Sequence, residues 1–317
     1  MRREPVLASV VIPTFNRARR LELTLASFVN QTDPRYEIVL VDDGGSDDTP
    51  AVAARYAGRL RLKLVRQPNR GRSAARNAGV QEAAGDLLIF CDDDCIASPR
   101  FVAEHLAELT EDGEPRVVLG WQEGIVSMAE PDAALITPEM VLGDFAAAVR
   151  DFATPEPFWH QYVEPVIAAH GEDLEGFAIP WALGFTGNLS APRRLVVDAG
   201  GFDERFEGWG LEDNDLHLRL CAAGARTRIR RAARNYHQAH PQPEERLAQW
   251  VRNAGYFLDK HDSFEVSAFV AGVFAKLPLA AISEIVQEHR RAGPSVLARE
   301  LARVTREHAR LLVRAAL

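Results

Sequence analysis

The chain has no run of about eighteen uninterrupted apolar residues, so no segment reads as a membrane-spanning helix. The nearest stretch, VSAFVAGVFAKLPLAAI at Val266 to Ile282, is broken by Lys276 and Pro278. Lacking a clear polar face, it reads as a helix covered by the fold or by a partner, rather than one lying on a membrane surface. Cysteine is scarce and odd in number at three, and Cys91 and Cys95 flank an acidic run where a disulfide has no use. That usage fits a reducing, cytoplasmic setting. Met1 to Val6 leads straight into an apolar strand ended by Pro13, too short for a signal-peptide core and cleavage site, so no export signal is read. A basic excess is also missing: the formal charge is -8 and the pI near 5.7, which argues against a nucleic-acid partner. There is no internal repeat and no low-complexity tract.

What is present is enough apolar residue, 47% of 317, to bury a sizeable core in one large domain or two ordinary ones. The first third alternates β-branched runs with helical patterns, the signature of βαβ units and a largely parallel sheet. Strands are expected at Ser9 to Ile12, Glu37 to Val41, Leu62 to Val65 and Asp86 to Phe90. Helices are expected from Arg17 (Leu21, Leu25, Phe28 and Val29 on one face), from Thr49-Pro50, and over Ser73 to Ala83. Two strands then end in carboxylates, at Asp42/Asp43 and at Asp92/Asp94, and in an open α/β sheet both turns would face one crevice. The middle, about Glu130 to Gly176, reads as an insertion of helices and loops. Order returns at Trp181 to Arg194 and Gly208 to Arg228. Leu297, Leu301, Val304, His308, Leu311 and Leu312 mark a terminal amphipathic helix with Arg299, Arg303, Arg306 and Arg310 on other faces.

The sharpest chemical feature is the run Cys91, Asp92, Asp93, Asp94, Cys95. In an extended segment alternate side chains share a face, so Asp92 and Asp94 would point together into the crevice and Asp93 elsewhere. Two carboxylates suit Mg²⁺ or Mn²⁺, which complete their shells with water and substrate phosphates. A solvated acidic turn is the plain alternative. An EF-hand loop lacks its glycine and terminal glutamate, and a thiolate zinc site lacks a second ligand pair.

Five stretches in order, VVIPTFNR, VDDGGSDDT, NRGRSAARNAG, CDDDC and GWGLEDNDLHLRL, resemble the family 2 inverting glycosyltransferases of the GT-A fold; the last is a galactosyltransferase-like acidic motif. The resemblance covers about the first hundred residues and again about 181 to 240. It implies an α/β, Rossmann-like, mostly parallel central sheet with a helical C-terminal extension. The chain divides accordingly into a nucleotide-sugar-binding half (1–125), a helical and loop insertion (126–180), an acceptor and catalytic half (181–262) and C-terminal helices (263–317). It further implies a donor set of Pro13, Thr14, Asn16, Arg17, Asp42, Asp43, Asn69, Gly71, Arg76, Asp92 and Asp93. Asp92, Asp94 and His237 would hold Mn²⁺ or Mg²⁺, and Arg76 would pair with a phosphate or tie down an acid. Asp213 would be the general base, with Glu212 catalytic or binding the acceptor sugar. Trp181, Asn188 and Trp209 would line the sugar side, although a tryptophan is more often core than platform. The donor is a nucleotide-sugar, with UDP favoured. The acceptor is a glycan, lipid-linked, peptide or small-molecule hydroxyl. A homodimer and peripheral membrane contact through the C-terminal helices stay open.

Competing readings fare worse. A sugar-1-phosphate nucleotidyltransferase needs a glycine-rich loop after its first strand, where this chain has PTFNRARR. An inactive binding scaffold would predict loss of the metal acids or the base, yet Asp92, Asp94, Glu212 and Asp213 are all retained. A processive membrane synthase would carry a Gln-x-x-Arg-Trp motif, which Ala222 to Trp250 lacks.

Overall fold

The computed structural model describes residues 7–109, 114–129, 133–241, 244–293 and 295–317. The reading of Met1 to Val6 lies outside the described residues. The chain opens β1 (Ala8–Thr14), α1 (Ala18–Val29), β2 (Tyr36–Asp42), α2 (Thr49–Tyr56), β3 (Leu62–Arg66), α3 (Arg72–Glu82) and β4 (Leu87–Cys91), the order read from its periodicity. There follow β5 (Cys95–Ala97), α4 (Phe101–Leu106), β6 (Arg116–Ile125) and a short ladder of β7 (Met128–Ala129) with β8 (Ala133–Ala134). The insertion holds α5 (Pro138–Gly143), α6 (Phe145–Phe152), β9 (Ala153–Thr154), a π-helical turn at Trp159–Val163 and α7 (Glu164–His170). After a 3₁₀ turn at Pro180–Leu183 come β10 (Asn188–Pro192), α8 (Arg193–Asp198), α9 (Glu212–Ala222) and β11 (Arg226–Gln238). The end is helical: α10 (Arg246–His261), α11 (Phe264–Phe274), α12 (Leu279–Ala292) and α13 (Val296–Ala316).

The main sheet runs β3-β2-β1-β4-β10-β6-β11-β5, with β9 added on β6. The ladders among β3, β2, β1 and β4 are parallel, as is β6 with β11, while β10 runs antiparallel to both its neighbours. The strands β1, β2 and β4 are buried along nearly their whole length, so they read as continuous apolar runs rather than alternating ones. From β1 the chain winds outward through β2 and β3 and then returns to the other side of β1 as β4. The strand order therefore reverses at β1, and the crevice outside the carboxyl ends of β1 and β4 is where such sheets bind ligands.

Between Arg230 and Arg234 the pairing of β11 with β6 slips. A bulge of this kind frees backbone groups that must find other partners. The side-chain amide of Asn188 supplies them, donating to the carbonyls of Trp121 (3.2 Å) and Ala233 (2.9 Å) while its Oδ1 meets Nε2 of His105 at 2.9 Å. Gly120 makes room: a β-carbon there would lie 2.1 Å from Asn188 Oδ1 and 2.2 Å from the Ala233 carbonyl.

The apolar run at Val266 to Ile282 is two helices, separated where Lys276 takes a positive φ and Pro278 caps α12. α11 is buried by its neighbours, as the sequence reading favoured. Among the described residues no helix is long and apolar enough to cross a membrane. α13 packs on α10 and α11 through Ala302, Ala309 and Val313, while the stripe of larger apolar residues marked in the sequence lies on another face.

Gly120→Ala is expected to destabilise the fold by about 1–3 kcal/mol, because the groups it meets include a fixed carbonyl. Gly58→Ala, with open space around it and no positive φ, is expected to change stability by less than about 0.5 kcal/mol. Thermal unfolding of both variants checks the contrast, and equal effects would contradict it.

Candidate active site

The loops after β1 and β2 are tied into one rim. Thr14 pairs with Asp42 in the parallel register. Asn16 takes a positive φ of 54° and its Oδ1 accepts from the amide of Ser46 at 2.8 Å. Asp42 is fully buried and accepts from the Gly45 amide (2.8 Å) and from Arg66 Nε (3.0 Å). Asp43 accepts from Gln67 Nε2 (2.7 Å) and from the amides of Arg70 (2.9 Å) and Gly71 (2.8 Å), which anchors the lead-in to α3. Gly71 has φ +89°, a conformation L side chains rarely adopt, and Asn69 beside it is exposed. Both acids expected to touch the nucleoside thus already hold loop backbone or side chains, and Asp42 is turned wholly inward.

The acidic run is not extended. β4 stops at Cys91, and Asp92 to Asp94 form a turn closed by the Cys95 amide on the Asp92 carbonyl at 3.2 Å. The alternation argument for a shared Asp92/Asp94 face therefore has no strand to rest on, and the three carboxylates take different partners, with Asp93 and Asp94 sharing Arg17. Asp92 accepts from Arg76 Nη2 at 3.1 Å. Asp94 is buried, with Arg17 Nη1 at 2.5 Å, His240 Nε2 at 3.2 Å and His237 Nε2 at 3.7 Å. Asp93 is no solvated bystander. It is buried with Arg17 Nη1 at 3.4 Å, and burial, reinforced by the Asp94 charge, pushes its carboxyl up to about 7. Burial also works against the Asp94 carboxylate, but His240, His237 and Arg17 hold it well below the usual carboxylate range.

Asp94, His237 and His240 bring ligand atoms within 4.8 Å of one another. One carboxylate with two imidazoles fits a divalent first-row cation by donor type. His237 Nδ1 has Glu156 Oε2 at 3.6 Å, an outer partner of the kind that orients ligating histidines. His240, omitted from the expected ligand set, sits three residues after His237, just past the end of β11; that spacing was its only trace in the sequence.

α9 carries the second acidic group. Its start is set by Leu211 in a left-handed conformation (φ 73°), with Glu212 and Asp213 in the first turn. Glu212 is buried and accepts from the Gly210 amide at 2.9 Å. Asp213 accepts from the Thr186 amide (3.1 Å) and from Thr186 Oγ1 (2.8 Å). The buried guanidinium of Arg76 lies 3.5 Å from Glu212 Oε1 and 3.5 Å from Asp213 Oδ1 while holding Asp92. Burial opposes its charge, but Asp213, Asp92 and Glu212 raise its pKa further.

Two residues expected to meet sugar do not face the crevice. Trp181 is packed in the core, edge-on to Phe257 (5.7 Å) and Phe269 (5.0 Å). Asn188 is spent on the bulge of β11 described above. Trp209 is half-buried under the guanidinium of Arg246 at 3.7 Å. An aromatic group missed in the sequence lies next to Thr186: Phe185 packs on Phe158 at 4.2 Å, and Phe158 on the exposed Tyr162 at 5.6 Å. Residues 156–162 thus reach from His237 at one end to the neighbour of the Asp213 anchor at the other.

Sequence comparison gives two family matches, "Glycosyl transferase family 2" over residues 9–146 and "N-terminal domain of galactosyltransferase" over residues 169–241. The "Uncharacterized glycosyltransferase YfnE" of Bacillus subtilis (strain 168) is 31% identical over 281 residues, covering 81% of this chain and 71% of that protein. The "Validoxylamine A glucosyltransferase" of Streptomyces hygroscopicus subsp. jinggangensis is 33% identical, covering 86% of this chain but 66% of that protein. Among solved structures, S. aureus TarS 1-349 in complex with UDP-GlcNAc matches with a TM-score of 0.57 at 16% identity, covering 98% of this chain and 91% of that one. The mannosyltransferase PcManGT from Pyrobaculum calidifontis, in complex with GDP-Man and Mn2+, matches at 0.55 and 18% identity, covering 99% and 86%. At such identities the likeness concerns the fold.

Burial first, and then the Asp213 charge, push the Glu212 carboxyl from 4.5 up to about 7. The folded chain therefore keeps a proton that the unfolded chain has released, so stability from this group is full below about 4.5 and is lost as pH rises through about 7. Glu212→Gln removes that dependence. Its melting temperature relative to the unaltered chain is expected to be higher at about pH 8 than at about pH 5; an equal difference at both would contradict the assignment.

Proposed function

The chain belongs to glycosyl transferase family 2 and is a glycosyltransferase of the GT-A fold, and we propose that it moves a sugar from a nucleotide-sugar to an acceptor hydroxyl by one inverting displacement. The observation that carries this reading is the placement of Arg76, which joins the donor-side acid Asp92 to the pair Glu212 and Asp213 within 3.5 Å. This neighbourhood of Asp92 and Asp213 supports a reading in which donor and acceptor meet beyond the carboxyl ends of β1 and β4.

The donor's diphosphate would lie over the carboxyl ends of β1 and β4, near Arg17 and the acidic turn. Asp94, His237 and His240 would hold Mn²⁺ or Mg²⁺, with Asp92 on the same rim. When bound there, such a cation supplies charge that stabilises the departing diphosphate. The nucleoside would sit on the rim built by Pro13, Thr14, Asn16, Asp43, Asn69 and Gly71, and uridine is favoured by resemblance. Asp213 is the general base: its carboxylate is oriented by two bonds from Thr186 and accepts the acceptor proton as the new bond to the anomeric carbon forms. Attack opposite the departing diphosphate inverts the anomeric centre. Glu212 sits behind it as a buried acid that sets the local charge with Arg76.

The acceptor enters beside Phe158, Tyr162 and Phe185, whose rings suit the apolar face of a glycan or small-molecule ring. One or a few additions per acceptor fit a chain without the Gln-x-x-Arg-Trp motif of processive enzymes.

Thermal shift with UDP-, GDP- and dTDP-sugars, with Mn²⁺, Mg²⁺ or chelator, identifies the donor, because a specific ligand stabilises the folded state by mass action. A shift with one nucleotide class that chelator abolishes is expected; none with any donor would contradict the reading. Asp213→Asn should keep that donor shift and lower the transfer rate by about 10²–10⁴-fold. His240→Ala should weaken the metal-dependent part of the shift. Unchanged transfer by the Asp213 variant would remove it as the base.

A further inference from the structure

The terminal helix α13 buries its small residues and turns its large ones out. Ala309 and Val313 join the core that α10 and α11 help to build and Ala298 is buried near His289 of α12, whereas Leu297 is 79%, Leu301 47%, Val304 48% and Leu311 61% exposed. At 3.6 residues per turn, Leu297, Leu301, Val304, His308, Leu311 and Ala315 form one straight stripe whose steps alternate between four and three. That is the narrow a/d seam of a two-helix pairing, not the broad face of a helix covering a globular core.

The charges choose between partners. Of the arginines that a membrane-lying helix would offer to anionic headgroups, Arg306 and Arg310 are turned toward the body, meeting Asp262 at 2.9 Å and Asp259 at 3.1 Å, and Arg303 is engaged by Glu300 and Glu307 of its own helix. The residues directly flanking the stripe on that side are Glu300 and Glu307, which carry the wrong sign for such a surface. Two turns beyond Glu307 on the same flank is Arg314, exposed. In an antiparallel pairing of two copies about a twofold axis near Val304 and His308, Leu301 of one faces Leu311 of the other and Leu297 faces Ala315. Glu300 then falls beside Arg314 at both ends and Glu307 beside its own counterpart at the axis, where Arg303 of each copy, 2.7 Å from its Glu307 and 2.5 Å from its Glu300, offsets the like charges. A parallel pairing stacks His308 on itself and sets Glu300 and Glu307 against Thr305 and Leu312, with no opposite charge to meet them.

We propose that the exposed stripe of α13 is an isologous homodimer interface, in which two copies pair these helices antiparallel. A seam of this size is smaller than a standard interface of about 1,600 Å², so a dissociation constant in the micromolar range is expected.

The test is light scattering or sedimentation of the intact chain from about 1 to about 100 µM, where mass should rise toward twice the monomer. Leu301→Glu with Leu311→Glu, both at exposed positions, should weaken association at least about tenfold and leave thermal unfolding unchanged at concentrations where the unaltered chain is monomeric. Glu300→Arg should also weaken it, and adding Arg314→Glu should restore it, which only the antiparallel pairing explains. A monomer throughout, a dimer indifferent to the leucine variants, or a charge swap that fails to restore association would each overturn the proposal. So would a monomeric chain that binds phosphatidylglycerol vesicles through Leu301 and Leu311.

Discussion

Everything around the crevice depends on one buried guanidinium. Arg76 lies inside the molecule among Asp92, Glu212 and Asp213, and removing any of these charges from water is costly without partners. The cation is what allows an acidic turn at the end of β4 and an acidic first turn of α9 to stand side by side. Arg17 does the same on the other flank, between Asp93 and Asp94. Arg76 takes only Oδ1 of Asp92 and only Oδ1 of Asp213, whose two oxygens Thr186 also holds. A centre of this kind is held in tension, and a divalent cation with an anionic donor would relieve it.

The topology explains why these groups meet although they are far apart in the chain. β1 and β4 are neighbours because the chain winds out through β3 and returns, which puts the loop of Arg17 beside the turn of Asp93 and Asp94. β10 then inserts antiparallel next to β4, and the residues just before it, Phe185 and Thr186, bring the anchor of Asp213 to the same edge. β11 closes the far side and delivers His237 and His240 to Asp94. The bulge that lets β11 do so is plugged by Asn188, a polar side chain used for architecture at the margin of the site.

Much of this was legible in the sequence, and what was not has definite causes. The strands and helices of the first third followed from buried β-branched runs and 3.6-residue spacing, each found within a residue or two. α9 lies within the stretch from Gly208 to Arg228 where order was expected to return. The alternation argument for Asp92 and Asp94 assumed that the strand continued, whereas the chain turns at Asp92 to Asp94, between the buried Cys91 and Cys95. Trp181 and Asn188 were misplaced because residue type cannot tell a ring or amide facing ligand from one facing the core. Likewise the amphipathic pattern of α13 identified a helix, but not which of its faces met the body; small alanines proved the tighter fit.

The central claim is a direct displacement at the anomeric carbon, assisted by a carboxylate base, in which the nucleoside diphosphate leaves as the acceptor oxygen bonds. Water can stand in for the acceptor, so the stereochemistry is measurable without knowing the acceptor. Proton magnetic resonance of the sugar first released from a UDP-α-hexose, recorded before mutarotation, reads it out. The account predicts the β-anomer; early appearance of the α-anomer would contradict it.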